Sequence, residues 1–263
     1  MASLYESADQ YLKGPEGMRM EVDMWHAGAS LLLQEVIRKQ RGSGFGGLYG
    51  NLGLKAKREL PIISILDVCC GPGNFLNYVT LVYDFNKIEA LGIDINDQFI
   101  ENAKKRFKKS LFSFITGDAI GYQFGKRFDF ILAGSAYHHI EDENKVKFIT
   151  NMRKHLKENG RIIMCENFIP EYSNVASKRD AINRFYKALK IYFSTGNATP
   201  EAIDILEEVH QLELTGEKEH KVSFAEFEQD LNKSGLEIVV DRIIWQPKEF
   251  RQSNAGSHVL MLR

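Results

Sequence analysis

The stretch from Ile65 to Phe75 constrains the fold of this chain most, because its composition changes from apolar to glycine-rich within a few residues. Its sequence is Ile-Leu-Asp-Val-Cys-Cys-Gly-Pro-Gly-Asn-Phe. The apolar residues that open it are typical of a buried parallel strand. Gly71-Pro72-Gly73 then allows a tight turn and a close approach to a ligand, and a helix is expected to begin at Asn74. A strand, a glycine turn and a helix N-terminus together form the nucleotide-binding unit of α/β folds.

The charge around this turn indicates which ligand it would bind. A dinucleotide site requires Gly-x-Gly-x-x-Gly, but the third position here is Leu76. The carboxylate of Asp67, just before the turn, would repel a phosphate and would suit a cationic ligand with an amino group and a sulfonium, such as S-adenosylmethionine (SAM). The segment resembles the first motif of the class I SAM-dependent methyltransferases, acidic-x-Gly-x-Gly-x-Gly. Cys69 stands where that family most often has its first glycine.

The resemblance implies an α/β fold with a doubly wound, mostly parallel sheet of seven strands, the last of which is antiparallel. It also implies SAM as the cofactor. Strands and helices alternate along residues 61–165 as this fold requires. The patterns predict strands at 61–68, 88–95, 111–115, 128–133 and 161–165, and helices at 74–83, 97–109 and 142–157 with Gly160 as the stop. Two final strands are predicted at 236–240 and 258–262.

Helical patterns outside this core divide the chain into four predicted parts. Residues 1–53 would form an N-terminal helical cap with a glycine-rich loop, and residues 54–168 the SAM-binding core. Residues 169–222 would form a helical insert over the substrate, and residues 223–263 the helix and strands that complete the core. The six glycines in residues 41–53 cannot sustain a helix, so this segment is either a flexible linker or a mobile lid over the site.

Composition limits the partners and the compartment. The 263 residues carry a net charge of −1, which provides no general attraction for nucleic acid or anionic membranes. No apolar run reaches the roughly 20 residues of a membrane helix. Three cysteines and no recognisable signal sequence favour the reducing cytoplasm over a disulfide-bonded exterior. The expected partner is a small-molecule substrate, with no membrane, with nucleic acid disfavoured but retained as an alternative, and with a homodimer left open as an oligomeric state.

Further cofactor-binding residues follow the next strand ends. Asp94 ends the second strand, where a carboxylate can accept hydrogen bonds from both ribose hydroxyls, and Ile95 could pack on adenine. In the resembled family, an acidic residue after strand three contacts the adenine amine, which points to Asp118 and the backbone of Ala119; an N-cap role for Asp118 is the alternative. The complete predicted set is Asp67, Gly71, Gly73, Asn74, Asp94, Ile95, Asp118, Ala119, Ala133 and Gly134.

Candidate catalytic residues follow strands four and five. His138 is the first choice for a general base, with Glu166 and Tyr137 as weaker candidates and a structural role expected for His139. No metal is expected, because adjacent histidines rarely chelate one ion and no further ligand has a usable spacing. The predicted reaction is in-line methyl transfer to a small O- or N-nucleophile, either aromatic or apolar. The alternatives are a SAM-binding or SAM-modifying protein that does not methylate, and an RNA methyltransferase.

Overall fold

The computed structural model describes residues 19–42, 60–108, 111–196 and 198–263. One sheet of seven strands lies at its centre: β1 (Ile63–Val68), β2 (Ile88–Asp94), β3 (Phe112–Thr116), β4 (Phe128–Gly134), β5 (Leu156–Phe168), β6 (Ile238–Trp245) and β7 (Gly256–Leu262). The helices are α1 (Arg19–Gly42), α2 (Asn74–Val82), α3 (Asp97–Arg106), α4 (Lys145–Lys154), α5 (Val175–Thr195), α6 (Pro200–Thr215) and α7 (Phe224–Ser234). Short 3-10 turns lie at Phe85–Lys87, Tyr137–His139, Asp142–Asn144 and Lys248–Phe250.

The strand order β3-β2-β1-β4-β5-β7-β6 confirms the predicted sheet. Strands β1 to β5 pair in parallel, and β7 runs antiparallel to both β5 and β6. All six residues of β1 are buried, as expected for a strand covered on both faces. The order in which strands are added to the sheet reverses between β1 and β4. The carboxyl ends of β1, β2 and β4 therefore surround one crevice, where open α/β sheets bind ligands.

Helices cover both faces of the sheet. On one face, α1, α2 and α3 pack on alternate residues of the strands, and Met24, Leu32 and Val36 of α1 are part of this core. On the other face, α4 and α7 pack over the remaining strand residues. The insert helices α5 and α6 form a third apolar cluster of their own, which includes Phe185, Tyr186 and Leu206. The apolar residues of α1 therefore belong to the central core.

The predicted helix 142–157 is shorter in the structure. It consists of a 3-10 turn and α4, which ends at Lys154, and β5 begins at Leu156. Gly160 is not the stop but lies inside β5, where the register against β4 shifts between Phe128 and Phe130. A Cβ at Gly160 would come 2.6 Å from Leu156 Cδ1, so a larger residue there would force the Leu156 side chain to move.

Side-chain caps and a glycine define the ends of the later helices. Thr199 Oγ1 accepts from Ala202 N before α6, and Ser223 Oγ accepts from Glu226 N before α7. Gly235 ends α7 at φ 67° in the left-handed region.

The glycine-rich segment and the membrane were both subjects of the sequence analysis. The glycine-rich segment lies outside the described residues, except for residues 41 and 42, which end α1. None of the described helices combines the length and apolar composition needed to cross a membrane.

Candidate cofactor and acceptor site

The turn after β1 has a strained backbone that suits a ligand cradle. Gly71 and Gly73 adopt φ values of 52° and 81°, and Cys69, at the position of the family's first glycine, adopts φ 51°. A non-glycine residue in this region costs about 1–2 kcal/mol, which explains why the family prefers glycine there. Ser135, after β4, also has a left-handed backbone, with φ 52°. Such conformations concentrate at functional sites, and Cys69 and Ser135 face the same cavity.

Asp94 connects the ends of β1 and β2. Its Oδ2 accepts from Gly71 N at 2.8 Å and its Oδ1 accepts from Asn96 N at 2.9 Å. These bonds hold the carboxylate at the cavity wall. Because each carboxylate oxygen accepts more than one hydrogen bond, both retain acceptor capacity for a ligand hydroxyl. Burial raises the pKa of Asp94, although the backbone donors oppose this shift.

Asp67 is the more deeply buried carboxylate, with 1% of its surface exposed. Within the described part of the chain, its Oδ2 has no hydrogen-bond partner. Burial, and secondly the charge of Asp94, raise the pKa of Asp67 well above 3.8. Two neighbouring acidic groups with raised pKa values and an unsatisfied oxygen are the electrostatic features that a cationic ligand would stabilise.

A cavity of about 640 Å³ opens at the carboxyl ends of β1 to β4. Its volume falls within the roughly 300–1,000 Å³ of small-molecule sites. It is lined by Cys69, Gly71, Asp94, Ile95, Asn96, Phe99, Gly117, Asp118, Ala119, Ile120, Ser135, His139, Ile140, Glu141, Asn144 and Lys218. Five of the ten predicted cofactor residues are in this lining, and Ile95 is 77% exposed, as a residue that packs on a ligand would be. Asp118 also caps a turn, since its Oδ1 accepts from Ile120 N.

The other predicted cofactor residues lie behind the lining. Asn74 Oδ1 accepts from Arg106, and a Cβ on Gly73 would come 2.6 Å from Phe107. Ala133 is buried in β4, and a Cβ on Gly134 would come 2.9 Å from Phe75. These residues shape the wall through packing, and the structure does not bring their side chains to the cavity.

Comparison with known proteins identifies this arrangement. Residues 65–160 match the family model described as a methyltransferase domain. This segment, 96 of the 263 residues, is similar to a methyltransferase domain. Methyltransferases of this fold use SAM as the methyl donor. The glycine turn and the Asp94 carboxylate line the cavity, and Asp67, with its unsatisfied oxygen, lies outside the lining.

Individual relatives of this methyltransferase domain are distant. The small RNA 2'-O-methyltransferase of Schizosaccharomyces pombe is 26% identical over 156 residues, which are 51% of this chain and 41% of that protein. The mitomycin 7-O-methyltransferase MmcR superposes with a TM-score of 0.51 at 16% identity, covering 77% of this chain and 49% of that one. PKMT2 from Rickettsia typhi, in complex with AdoHcy, superposes with a TM-score of 0.51 at 18% identity, covering 76% of this chain and 48% of that one. The chain thus spans less than half the length of each of these relatives, and the two structures support the fold.

The predicted catalytic residues are buried. His138 is 6% exposed, and its Nδ1 makes a short hydrogen bond with Glu166 Oε1. Glu166, at 1% exposed, also accepts from the backbone N–H groups of Tyr137, His138 and Asn167. Burial lowers the pKa of His138 well below 6.5 and raises the pKa of Glu166. The cavity is instead lined by the neighbouring His139, for which only a structural role was expected.

Tyr137 has no route to the cavity. Its hydroxyl donates to Asp230 at 2.8 Å, its ring packs edge-on against Phe227, and 1% of it is exposed. Burial, together with the Asp230 carboxylate, raises the pKa of its hydroxyl. The catalytic role suggested for Tyr137 is therefore not supported by its position, and its contacts join the β4 loop to α7.

Sequence reasoning missed a group of buried charges that reach this loop from the insert. Lys221 Nζ lies 3.1 Å from Glu213 Oε2, makes a short bond to Glu219 Oε2 and donates to the hydroxyl of Tyr186. Lys145 Nζ donates to the backbone carbonyls of Tyr137, Ile140 and His220. The Glu219 carboxylate thereby lies against both histidines. No local pattern in the sequence connects residue 219 with residues 138 and 139.

Proposed function

We propose that this chain transfers the methyl group of SAM to a small-molecule acceptor with an oxygen or nitrogen nucleophile. The observation that carries the proposal is the cavity of about 640 Å³ at the strand ends, with Asp94 and Asp118 in its wall. Asp94 would bind the ribose hydroxyls, Ile95 would pack on adenine, and Asp118 would accept from the adenine amine. Asp67 would stabilise the positive charge of the donor from behind the glycine turn.

The acceptor side of the proposal rests on a polar group beside the cavity. Ser135 lines the cavity, and its hydroxyl donates to the half-buried carboxylate of Glu21 on α1. Asn167 Nδ2 lies 3.4 Å from Glu21 Oε1, and Ser257 Oγ donates to Asn167 Oδ1 at 2.6 Å. A carboxylate and a hydroxyl can together orient the N–H or O–H of an acceptor, which supports a polar nucleophile on a small molecule.

Methyl transfer would proceed by in-line displacement at the methyl carbon. Because the sulfonium is a good leaving group, the protein mainly has to align the nucleophile and exclude water. A base is required only if the acceptor is a hydroxyl. His138 stays the proposed base, but its burial means that it would act through His139 or a bound group and not by direct contact.

The fission-yeast relative supports RNA as a second candidate acceptor. The surface of α3 carries the exposed residues Lys104, Lys105 and Arg106, which could contact phosphates. Lys104 is already paired with Glu101 at 2.9 Å, and the chain as a whole has a net charge of −1. These charges favour a small-molecule acceptor over RNA. As a compartment, we propose the cytoplasm, in keeping with three cysteines that form no disulfide.

The experiment has two stages. Calorimetry first measures binding of SAM and of its demethylated product, with NAD as the control ligand. Tritium-labelled SAM is then incubated with the chain and with either a low-molecular-weight extract or an RNA fraction. Label transferred to the small-molecule fraction supports the proposal, and label in RNA favours the second candidate. Tight SAM binding without transfer to either fraction would indicate a non-methylating SAM protein, and absence of binding would refute the whole assignment.

A further inference from the structure

We propose that His138, His139 and Glu219 bind one divalent transition-metal ion of the Zn²⁺ class in the wall of the cofactor cavity. The sequence argued against a metal, because two adjacent histidines lacked a third ligand. The fold supplies that ligand from residue 219, in the segment that leads from α6 back to the core.

The spacing of the three side chains fits a single ion. His139 Nδ1 lies 3.5 Å from Glu219 Oε1, and His138 Nε2 lies 3.7 Å from Glu219 Oε2. One ligand atom from each residue can be chosen so that all lie within 4.8 Å of one another. Ligands that each bind zinc at about 2.0 Å in a tetrahedron are about 3.3 Å apart. The two separations from Glu219 are within a few tenths of an ångström of this value, whereas the histidine ligand atoms, within 4.8 Å of each other, would have to move closer together to enclose an ion.

One oxygen of Glu219 lacks a partner. The residue is 1% exposed, and its Oε1 has no hydrogen-bond partner within the described part of the chain. Lys221 compensates the other oxygen. A buried carboxylate oxygen without a donor costs about 1–3 kcal/mol or more, so a ligand that satisfies it is expected. Oε1 faces the His139 ring, which places the unsatisfied atom inside the group of candidate ligands.

The hydrogen bond to Glu166 orients His138 as a metal ligand. We assign Glu166 as a carboxylate that accepts from three backbone N–H groups, and His138 Nδ1–H as the donor in their short bond. The lone pair of His138 is then on Nε2, which faces Glu219. A cation between Nε2 and the Glu219 carboxylate would bind both acceptors. A carboxylate that orients a histidine from behind is a common arrangement in zinc sites.

A fourth ligand and an access route are both present. Without metal, His139 Nδ1–H donates to the backbone carbonyl oxygen of Lys218 at 3.0 Å; if an ion replaces this proton, the carbonyl oxygen lies close to the spacing of a second ligand on the same ion. Both Lys218 and His139 line the cavity, so an ion could enter from there and contact a bound acceptor. The balance of buried charge also favours a cation. Three carboxylates are buried here, at Glu166, Glu213 and Glu219, against the ammonium group of Lys221. The second buried lysine, Lys145, is already paired with Asp142 at 3.3 Å.

Protonation of His138 is the competing explanation for this arrangement. An imidazolium would donate from Nε2 to Glu219 Oε2, but these two atoms are 3.7 Å apart, which is longer than a hydrogen bond. A metal ion binds neutral imidazole and needs no such proton. The two explanations differ in whether the chain binds zinc.

The test uses the tag-free chain after treatment with a chelator. Zn²⁺ is titrated by calorimetry in competition with a chromophoric chelator, and Co²⁺ is added separately to record its visible absorption. We expect one ion per chain and an intense Co²⁺ spectrum with nitrogen and oxygen ligands. His139→Gln and Glu219→Gln should each weaken zinc binding at least tenfold. His26→Gln, at an exposed histidine of α1, is the matched control and should bind zinc as the unmodified chain does.

The outcomes separate this proposal from the proposed function. His139 has 32% of its side chain exposed, so its variant should fold even if the buried Glu219 variant does not, and a thermal melt without metal checks both. The site would be overturned if the unmodified chain bound no zinc. It would also be overturned if the His139 variant bound zinc as tightly as the unmodified chain, and this result would point to a thiolate ligand such as Cys69. SAM affinity is measured on the metal-free chain, so loss of the metal site would leave the proposed function standing.

Discussion

The two sides of the cavity are built in different ways. On the donor side, the ends of β1 and β2 provide the turn and two carboxylates from residues close in sequence: Gly71 and Asp94, which bond each other, are 23 positions apart. On the other side, the loop after β4 meets the segment after α6, and the bonded residues His139 and Lys218 are 79 positions apart. Local sequence therefore determines the first side, and tertiary packing determines the second.

The electrostatics of the two sides also differ. On the donor side, burial and secondly the charge of Asp94 raise the pKa of Asp67, and Asp67 Oδ2 has no hydrogen-bond partner among the described residues. On the second side, Lys221 bonds two buried glutamates directly. The donor side thus depends on a ligand for compensation, whereas most charges on the second side compensate each other.

The largest effect should follow from removing that internal cation. Lys221→Met leaves Glu213 and Glu219, which are 4% and 1% exposed, without their partner. Breaking a buried pair from one side costs about 3–5 kcal/mol, so the free energy of unfolding should fall by that amount. Chemical denaturation measures it. Lys190→Met, which breaks the more exposed pair with Glu207, is the control and should cost about 0–1 kcal/mol. Equal losses in the two variants would contradict the comparison.

The second-largest effect should be a loss of SAM affinity when the Asp94 carboxylate on the donor side is replaced. Asp94→Asn keeps the shape of the residue but removes its charge and half of its acceptor capacity. Hydrogen bonds to a charged group contribute about 1.5–3 kcal/mol, so affinity for SAM and for its demethylated product should fall roughly ten- to a hundredfold. Calorimetry measures both ligands. Asp84→Asn, at an exposed turn where Asp84 accepts from Asn86 N, makes the same chemical change away from the cavity. A change of less than about threefold for Asp94→Asn would remove Asp94 from the ribose site.

Sequence reasoning succeeded for the fold because the core strands and the β1 turn are specified by local patterns. Of the residues that it named for cofactor binding, Asp94, Asp118 and Ile95 line the cavity. It failed where packing decides: Gly160 matched a helix stop but fills a close approach in β5, and Tyr137 matched a catalytic residue but bonds Asp230. Glu219 and Lys221 could not be found, because a single charged residue in a polar segment has no pattern that specifies a distant partner.

A third prediction uses the raised pKa values of the donor side. Because Asp67 and Asp94 have raised pKa values in the fold, the ligand-free chain retains protons above pH 3.8, and its stability falls as pH rises through those raised values. A cationic ligand favours the ionised forms. SAM binding should therefore release protons, and affinity should increase with pH, by at most about 1.4 kcal/mol per pH unit for each proton released, until Asp67 is ionised.

Calorimetry in two buffers of different ionisation enthalpy counts these protons. In the double variant Asp67→Asn and Asp94→Asn, SAM binding should release no protons from these two positions. An unmodified chain that releases no protons between pH 4 and pH 8 would mean that the donor's charge is compensated elsewhere.

The smallest predicted effect tests whether the two sides are independent. Ser223 follows the buried segment that carries Lys221, and its hydroxyl caps α7 by accepting from Glu226 N at 3.3 Å. Ser223→Ala should reduce the free energy of unfolding by about 1 kcal/mol, and Ser223→Gly by a few tenths, because glycine is tolerated at this position. Ser223 lies on the insert side of the cavity and not on the donor side. SAM affinity should therefore stay within twofold of that of the unmodified chain. A parallel loss of stability and SAM affinity would show that the segment after α6 also sets the geometry of the donor side, and the distinction between a locally and a distantly specified half of the site would no longer hold.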